Sequence, residues 1–424
     1  MSVLTRRRLL TSWPRRWRGR LARVAAFAGP GLIAANAGND AGGIAAYASA
    51  GAQFGYRTLF FMLLVTIALV MVQEMCARLA AFTGKGLAAL IREEFSIRVT
   101  AFALLCLIVA NLGLVVSEFA GIGAALELVG VSRYLSVPLG AIAIWTVVVF
   151  GSYRYVEKIF LTLTISFFAY FVAAILTHPD WGQVGRQLAL PHFLANHEFL
   201  LIGVALIGTT VTPYMQFYIA AAVVDRGIGP DDYPAERIDT IGGSIFSNVV
   251  AMAIIIATAA AIHVRAPLES AKQAAQALRP VAGRFASELF AIGLLGAAAL
   301  AAAVVPLSTS YAVAEAAGVE RSVSRRFSEA PLFLGLFTGQ VVIGAAIALV
   351  PGNLITLLVR AQIVNGVITP ILLTYVVVLA NRRRLLGPAT NGPVFRVLAG
   401  ICVAGVATMS ALVVIDTCAH WLGL

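Results

Sequence analysis

Residues 37–43 read AGNDAGG and place one acidic side chain, Asp40, in the middle of an apolar segment. A carboxylate at the centre of a bilayer costs about 2.5–3.5 kcal/mol on insertion scales, so such a group needs a partner. The apolar segment around Asp40 contains no basic residue, and its glycines weaken a continuous helix. We therefore predict that a membrane-spanning helix is interrupted at this point.

Apolar runs of spanning length recur along the whole chain. Of the 424 residues, 60% are hydrophobic and 12% are charged, whereas about a quarter are charged in an ordinary globular protein. Since about 20 apolar residues cross a bilayer, we count eleven spans, at 24–50, 57–82, 99–129, 134–152, 155–177, 198–224, 239–263, 286–316, 331–350, 353–380 and 395–420. This pattern predicts an all-α integral membrane protein.

The basic residues follow the loops and not one folded face. The net charge is +11, yet most Lys and Arg fall in segments that share one side of the membrane if the N-terminus is cytoplasmic. We therefore expect a multi-pass protein of the cell inner (plasma) membrane with its C-terminus outside, and no nucleic-acid partner. Residues 1–23 are predicted to be a basic cytoplasmic segment, and residues 24–424 a single transmembrane domain.

A second interruption is predicted in the sixth span. Residues 208–213 read GTTVTP, and Pro213 removes a backbone donor and breaks the helix. Broken membrane helices persist only beside a cavity, an ion or other protein. Two repeats, at about 24–177 and 198–380, would each begin with a broken helix, followed by an extra helix at about 395–420. Inverted-repeat secondary transporters build a midplane site in this way.

Polar side chains within the spans are candidate site residues with alternative roles. Asp40 can ligate a cation, cap the second half-helix through its N-terminal amides, or do both. Glu118 can line an ion path or bond to polar groups of neighbouring helices. Gln362 and Asn365 are three residues apart on one helix face, where amides either contact an ion or join helices. Asn248 has the same two alternatives.

Other chemistry has little support in the sequence. It contains no P-loop, no histidine pair at metalloprotease spacing and no GxSxG motif, so we expect no ATP use, no enzymatic activity and no cofactor. Glu74 and Arg78, four residues apart, are predicted to form a structural ion pair. A channel is disfavoured because no filter sequence is repeated, and a receptor because no soluble domain is present. We expect a monomer.

Four stretches resemble one family. They are GPGLIAANAGNDAGGIAAYASAGAQFGY at 29–56, TGKGLAALIREEF at 83–95, ALRPVAGRFASELFAIGLL at 277–295 and LLVRAQIVNGVITP at 357–370. The chain resembles the Nramp family of divalent-metal transporters over nearly its whole length. The resemblance implies a LeuT-type fold with 11 transmembrane helices, arranged as two inverted five-helix repeats with broken helices 1 and 6. A metal ion would be the transported substrate.

The metal site departs from the family pattern. Where the family has Asp-Pro-Gly-Asn, this chain keeps Asp40 but has Gly43 in place of the asparagine ligand, and Thr212 replaces the family's methionine. Oxygen ligands and water suit Mg²⁺ better than soft sulfur does, and both changes are expected to enlarge the pocket for a partly hydrated ion. The replacements are similar to those of the Nramp-related magnesium transporters. The threonine also resembles that of aluminium-transporting plant relatives, which Gly43 fits less well.

The resemblance also indicates further candidate metal contacts and the positions at which the family carries its proton relay. It makes the carbonyls of Ala37 and Thr209, and the side chain of Gln362, candidate metal contacts. The acidic pair of the family's third helix corresponds to Glu118 and Gly121, and its sixth-helix histidines correspond to Tyr214 and Ile219. The relay is therefore largely absent.

The missing relay predicts a uniporter for Mg²⁺, and also Mn²⁺, without proton coupling. Two charges moving down 100 mV gain about 4.6 kcal/mol, which is enough to drive uptake. The alternative is a proton-coupled Mn²⁺/Fe²⁺ transporter.

Overall fold

The computed structural model describes residues 39–150, 169–191, 194, 196–262, 266–319 and 327–422, and all regular secondary structure in these ranges is helical. The α-helices are α1 (Ala41–Phe54), α2 (Leu59–Thr83), α3 (Leu87–Glu94), α4 (Ile97–Glu127), α5 (Arg133–Val149), α6 (Ala169–Leu176), α7 (Trp181–Ala189), α8 (His197–Thr210), α9 (Pro213–Asp225), α10 (Tyr233–Ala261), α11 (Ala271–Ala275), α12 (Arg279–Ala282), α13 (Ala286–Ala317), α14 (Pro331–Ala348), α15 (Leu354–Ala380), α16 (Arg383–Leu386) and α17 (Pro393–Leu422). Short 3₁₀ turns occupy Gly55–Thr58, Gln276–Leu278, Gly283–Phe285 and Gly387–Ala389.

The predicted membrane spans match long apolar helices. Within the described ranges, 8 helical stretches are long and apolar enough to cross a membrane, and Arg133–Val149 is a shorter apolar helix. The seventh span begins earlier than predicted, at Tyr233. Residues 24–38 and 155–168 of the first and fifth predicted spans lie outside the described residues, so the count of eleven stays a prediction.

The predicted break in the sixth span is confirmed, and in the first span the described structure shows the start of the second half-helix. Asp40 has an extended backbone, with φ −68° and ψ 174°, and α1 begins at the next residue. In the sixth span, α8 ends at Thr210 and α9 begins at Pro213, so the span predicted at 198–224 is two helices. Pro213 occupies the first turn of α9, where its missing N–H is tolerated.

Glycines allow the broken helices to approach their neighbours closely. The helix α8 packs against α15, and α1 packs against α10 and α15. A side-chain carbon on Gly208 would lie 2.0 Å from the carbonyl oxygen of Gln362, and one on Gly366 would lie 2.2 Å from that of Val204. Membrane helices depend on such close van der Waals packing because lipid provides little hydrophobic driving force. The glycines thereby bring Gln362 to the centre of the bundle.

Short helices lie in two of the loops between the predicted spans. The helix α7 lies within 178–197, and α3 lies between α2 and α4. The helix α3 is amphipathic and buries Leu87, Leu90 and Ile91, which explains why a polar connecting segment can be ordered. The predicted ion pair between Glu74 and Arg78 is confirmed, with an N–O distance of 3.2 Å.

Candidate metal site

Two carboxyl groups meet the N-terminal turn of α1. Oδ1 of Asp40 accepts a hydrogen bond from the backbone N–H of Gly43 at 2.6 Å. Oε2 of Glu118, on α4, accepts one from the backbone N–H of Ala41 at 3.2 Å. The exposed fractions of Asp40 and Glu118 are 1% and 0%. The N-terminus of a helix stabilises negative charge, so the backbone amides of α1 offset part of the cost of burying these two carboxyl groups.

Each of these carboxyl groups has a second oxygen left over. Oδ2 of Asp40 and Oε1 of Glu118 are buried and have no hydrogen-bond partner within the described chain. None of the ion pairs found in that part of the chain involves either residue. A buried carboxylate without a counter-charge is strongly destabilising. The two acids therefore form an electronegative site that a cation would complete.

Polar groups from α15 and α4 meet the same turn. Nε2 of Gln362 donates a hydrogen bond to Oδ1 of Asp40 at 3.3 Å, while its Oε1 is buried and unpaired in the described structure. A side-chain carbon on Gly42 would lie 2.1 Å from Nε2 of Gln362 and 2.4 Å from Oγ of Ser117. The Ser117 hydroxyl is also buried without a partner there. Ser117 was not among the predicted site residues, although it directly precedes Glu118.

Side chains donate hydrogen bonds to two carbonyl groups at the second break. Because Pro213 has no N–H, the Thr209 carbonyl loses its helical partner, and Oγ1 of Thr212 donates to it at 2.9 Å instead. Nδ2 of Asn365 donates to the carbonyl of Gly208 at 2.5 Å. Asn365 thus joins α15 to α8, one of its two predicted roles. A carbonyl oxygen has two lone pairs, so the Thr209 carbonyl can still accept a second contact.

The expectation of open space around Gly43 is wrong in this structure. A side-chain carbon on Gly43 would lie 2.6 Å from Oγ1 of Thr209 and 3.0 Å from Oδ1 of Asp40, so the Thr209 hydroxyl fills the expected space. The Thr212 hydroxyl donates to the Thr209 carbonyl. At Gly121 an added carbon would lie 2.4 Å from the side chain of Ala41. An acid at that position would therefore collide with α1.

The remaining predicted residues are placed differently. Tyr214 is buried in the first turn of α9, directly after the second helix break. Asn248 donates to the Ser244 carbonyl on its own helix at 3.3 Å, and no described contact joins it to Asp40. Ala37 lies outside the described residues.

The donors at the site are mainly oxygens. Among the described residues no group of three or more His, Cys, Asp or Glu could hold a metal ion, so a metal here would rely on two acids and neutral oxygens. One sulfur is nearby: Sδ of Met215 lies 3.2 Å from the Thr212 hydroxyl. Met215 was not among the predicted site residues, although it lies only three residues after Thr212, the position at which the family has its methionine.

Comparison with known proteins places this arrangement in a family. The family model described as "Natural resistance-associated macrophage protein-like", Nramp, matches residues 31–416. The chain belongs to the Nramp family. It is 30% identical over 397 residues to the Divalent metal cation transporter MntH 1 of Pseudomonas aeruginosa, covering 88% of this chain and 87% of that protein.

Solved structures agree on the fold of this Nramp chain. The Eremococcus coleocola manganese transporter, in complex with an aromatic bis-isothiourea substituted compound, superposes with a TM-score of 0.79 at 18% identity, covering 97% of this chain and 91% of the other. MhsT in complex with L-phenylalanine gives 0.55 at 14% identity, covering 88% and 97%. The chain therefore has the all-α, LeuT-type fold. As an Nramp protein it is a transporter and not an enzyme, and a metal ion is its cargo and not a resident cofactor.

Proposed function

We propose that this Nramp protein is a uniporter that moves divalent metal cations across the membrane by alternating access, with Mg²⁺ as the principal substrate and Mn²⁺ also accepted. The observation that carries the proposal is the pair of buried carboxyl groups, Asp40 and Glu118, at the N-terminus of α1. Each has an oxygen without a described partner. Two acids can balance a dication, and the helix break exposes backbone groups beside them.

The donor set supports a hard cation. Asp40, Gln362 and the Thr209 carbonyl offer oxygen, which suits Mg²⁺ and Mn²⁺. In our proposal Asp40 supplies the charge and the carbonyls of Ala37 and Thr209 contribute in different states of the transport cycle. Ser117 joins this set because its unpaired hydroxyl lies at the same helical turn. Since Mg²⁺ retains several waters, we expect a dissociation constant between submillimolar and millimolar.

We infer the absence of proton coupling from the residues that occupy the positions of the family's proton relay. Gly121 has no titratable group, and its surroundings have no space for one. Tyr214 and Ile219 stand where the family has histidines, and both are buried. The membrane potential alone can drive uptake, because two charges crossing 100 mV gain about 4.6 kcal/mol, equivalent to about a thousandfold gradient.

The alternative is a proton-coupled Mn²⁺/Fe²⁺ transporter, and two observations favour it. The first is the sulfur of Met215 beside Thr212, since a thioether favours transition metals. The second is the manganese and divalent metal transport named for the relatives. Glu118 would then be the group that accepts the proton.

Uptake into proteoliposomes separates the two functions. Mg²⁺ and Mn²⁺ entry are measured at a clamped negative potential, with internal pH recorded by an enclosed dye and protein-free liposomes as the control. The proposal predicts Mg²⁺ entry without acidification. Mn²⁺ entry with acidification and no Mg²⁺ entry would establish the alternative.

A selectivity variant tests the ligand argument. Gly43→Asn is unsuitable, because its side chain would meet the Thr209 hydroxyl. Thr212→Met restores only the thioether, and we expect it to raise the ratio of Mn²⁺ to Mg²⁺ uptake, with Thr212→Ser as the control that keeps the hydroxyl. An unchanged ratio would contradict the assignment of selectivity to this position.

A further inference from the structure

A cavity of about 540 Å³ lies in the segment that links α15 to α17. Arg383, Thr390, Asn391 and Arg396 line it, together with glycines and prolines of residues 387–393. Its volume is within the range of small-molecule sites, about 300–1,000 Å³. It is separate from the metal site, since no residue of the α1 turn lines it.

The cavity is positively charged and has no counter-ion of its own. Arg383 and Arg396 are exposed, no acidic residue is among the lining residues, and neither arginine belongs to an ion pair found in the described ranges. The Arg396 guanidinium donates a long hydrogen bond of 3.5 Å to the carbonyl of Asn391. Two guanidinium groups are therefore available to a ligand.

The arginines near the cavity that do not line it form ion pairs. Arg382 and Arg384 both pair with Glu94, at the end of α3. Arg78 pairs with Glu74 at 3.2 Å and also donates to the carbonyl of Ala389 at 2.8 Å. These arginines stabilise the fold through ion pairs, whereas the two cavity arginines take part in none of the ion pairs found among the described residues. If these arginines served only to set the membrane topology, there would be no reason for two of them to line a cavity without a paired acid.

The wall of the cavity is held rigidly. Asn391 is only 3% exposed. Its Oδ1 accepts a hydrogen bond from Arg78, and its Nδ2 donates to Oδ1 of Asn381 at 3.0 Å. Gly392, which precedes α17, has no side chain to cap the first amides of that helix. A pre-organised wall lowers the entropic cost of binding.

We propose that this cavity binds a phosphate group, held by the guanidinium groups of Arg383 and Arg396. Arginine recognises phosphate through paired N–H donors, while the Thr390 hydroxyl donates to the Gly387 carbonyl at 2.6 Å and helps to hold the wall. The phosphate has two possible sources, inorganic phosphate or the headgroup of an anionic phospholipid. The loop distribution of charge predicts that this face is cytoplasmic, where anionic lipids attract basic residues. The proposal is independent of the cargo.

The test compares two double variants of the full-length protein that lose the same charge. The variant Arg383→Gln/Arg396→Gln removes both cavity cations, whereas Arg92→Gln/Arg98→Gln removes two exposed arginines that do not line the cavity. Calorimetry in a zwitterionic detergent measures inorganic phosphate binding. Native mass spectrometry of protein from nanodiscs measures retention of phosphatidylglycerol against phosphatidylcholine. Arg383→Lys/Arg396→Lys keeps the charge without the paired donors and is used if the glutamine variant does not fold.

We expect the cavity variant to weaken binding in one arm by about tenfold or more, the lysine variant to weaken it less, and the Arg92/Arg98 variant to bind as the wild type does. Loss confined to the calorimetric arm identifies inorganic phosphate, and loss confined to phosphatidylglycerol identifies the headgroup. If neither ligand binds wild-type protein preferentially, or if both double variants lose binding equally, the proposal is overturned.

Discussion

Replacing Asp40 by asparagine separates the two roles of this residue. Asparagine is as good a helix cap as aspartate, and its Oδ1 can keep the hydrogen bonds from Gly43 at 2.6 Å and Gln362 at 3.3 Å. The oxygen that is replaced, Oδ2, has no described protein partner. The fold should therefore lose little, and we expect the free energy of unfolding to change by no more than about 1 kcal/mol.

Ion binding should respond far more strongly to Asp40→Asn. A unit charge about 4 Å from another contributes about 4 kcal/mol at an effective dielectric constant near 20, so a dication contributes about twice that. If desolvation of the ion offsets half, about 4 kcal/mol remains, which corresponds to a roughly thousandfold loss of affinity. Uptake at millimolar Mg²⁺ should then fall to the level of protein-free liposomes.

The assay is Mg²⁺ uptake under a clamped potential, with thermal unfolding measured on the same preparation. The control Asp225→Asn removes an exposed carboxylate and should transport normally. Wild-type uptake and KM in Asp40→Asn would refute the reasoning, because Asp40 would then not supply the charge that binds the ion.

Three further substitutions test a close helix contact, a hydrogen bond at the second helix break and the ion pairs at the end of α3. Gly366→Ala places a carbon 2.2 Å from the Val204 carbonyl and should destabilise the protein by about 3 kcal/mol, seen as a lower Tm. Thr212→Val leaves the Thr209 carbonyl without its 2.9 Å hydrogen bond and should cost about 1–3 kcal/mol in the same measurement. Burial alone would raise the pKa of Glu94, but hydrogen bonds from two arginines hold that pKa below its ordinary value. Its contribution to stability is complete above the unfolded pKa, near 4.3, and is lost as pH falls through the lower folded pKa, so Glu94→Gln should flatten the acid limb of stability against pH.

Matched variants make these results interpretable. Gly335→Ala has open space around the added carbon and should leave Tm unchanged, while Thr212→Ser retains the hydroxyl. Glu93→Gln alters a neighbouring, exposed acid paired with Lys85 and should leave the acid limb steeper than Glu94→Gln does. Equal effects in a variant and its control would show that the proposed contact is not responsible.

Much of the fold could be predicted from the sequence because the membrane restricts the alternatives. Apolar runs of spanning length indicate helices, since only helices or closed barrels satisfy backbone groups in lipid. The start of α1 after Asp40 and the break before Pro213 were predicted from a buried charge and a missing N–H, which are properties of single residues. The amphipathic helix α3 was missed because its burial depends on neighbours that the sequence does not place.

The site itself was only partly readable from the chain. The sequence by itself indicated that Asp40 is a membrane-buried acid at a predicted helix break, and through the family resemblance it predicted that Gly121, Tyr214 and Ile219 stand at the positions of the proton relay. Only the tertiary structure decided that Glu118 caps the same turn as Asp40, that Ser117 joins Gln362 there, and that the Thr209 hydroxyl fills the space beside Gly43. These facts depend on how α4, α8 and α15 pack around α1. Such distances arise between residues far apart in the chain, and no local pattern encodes them.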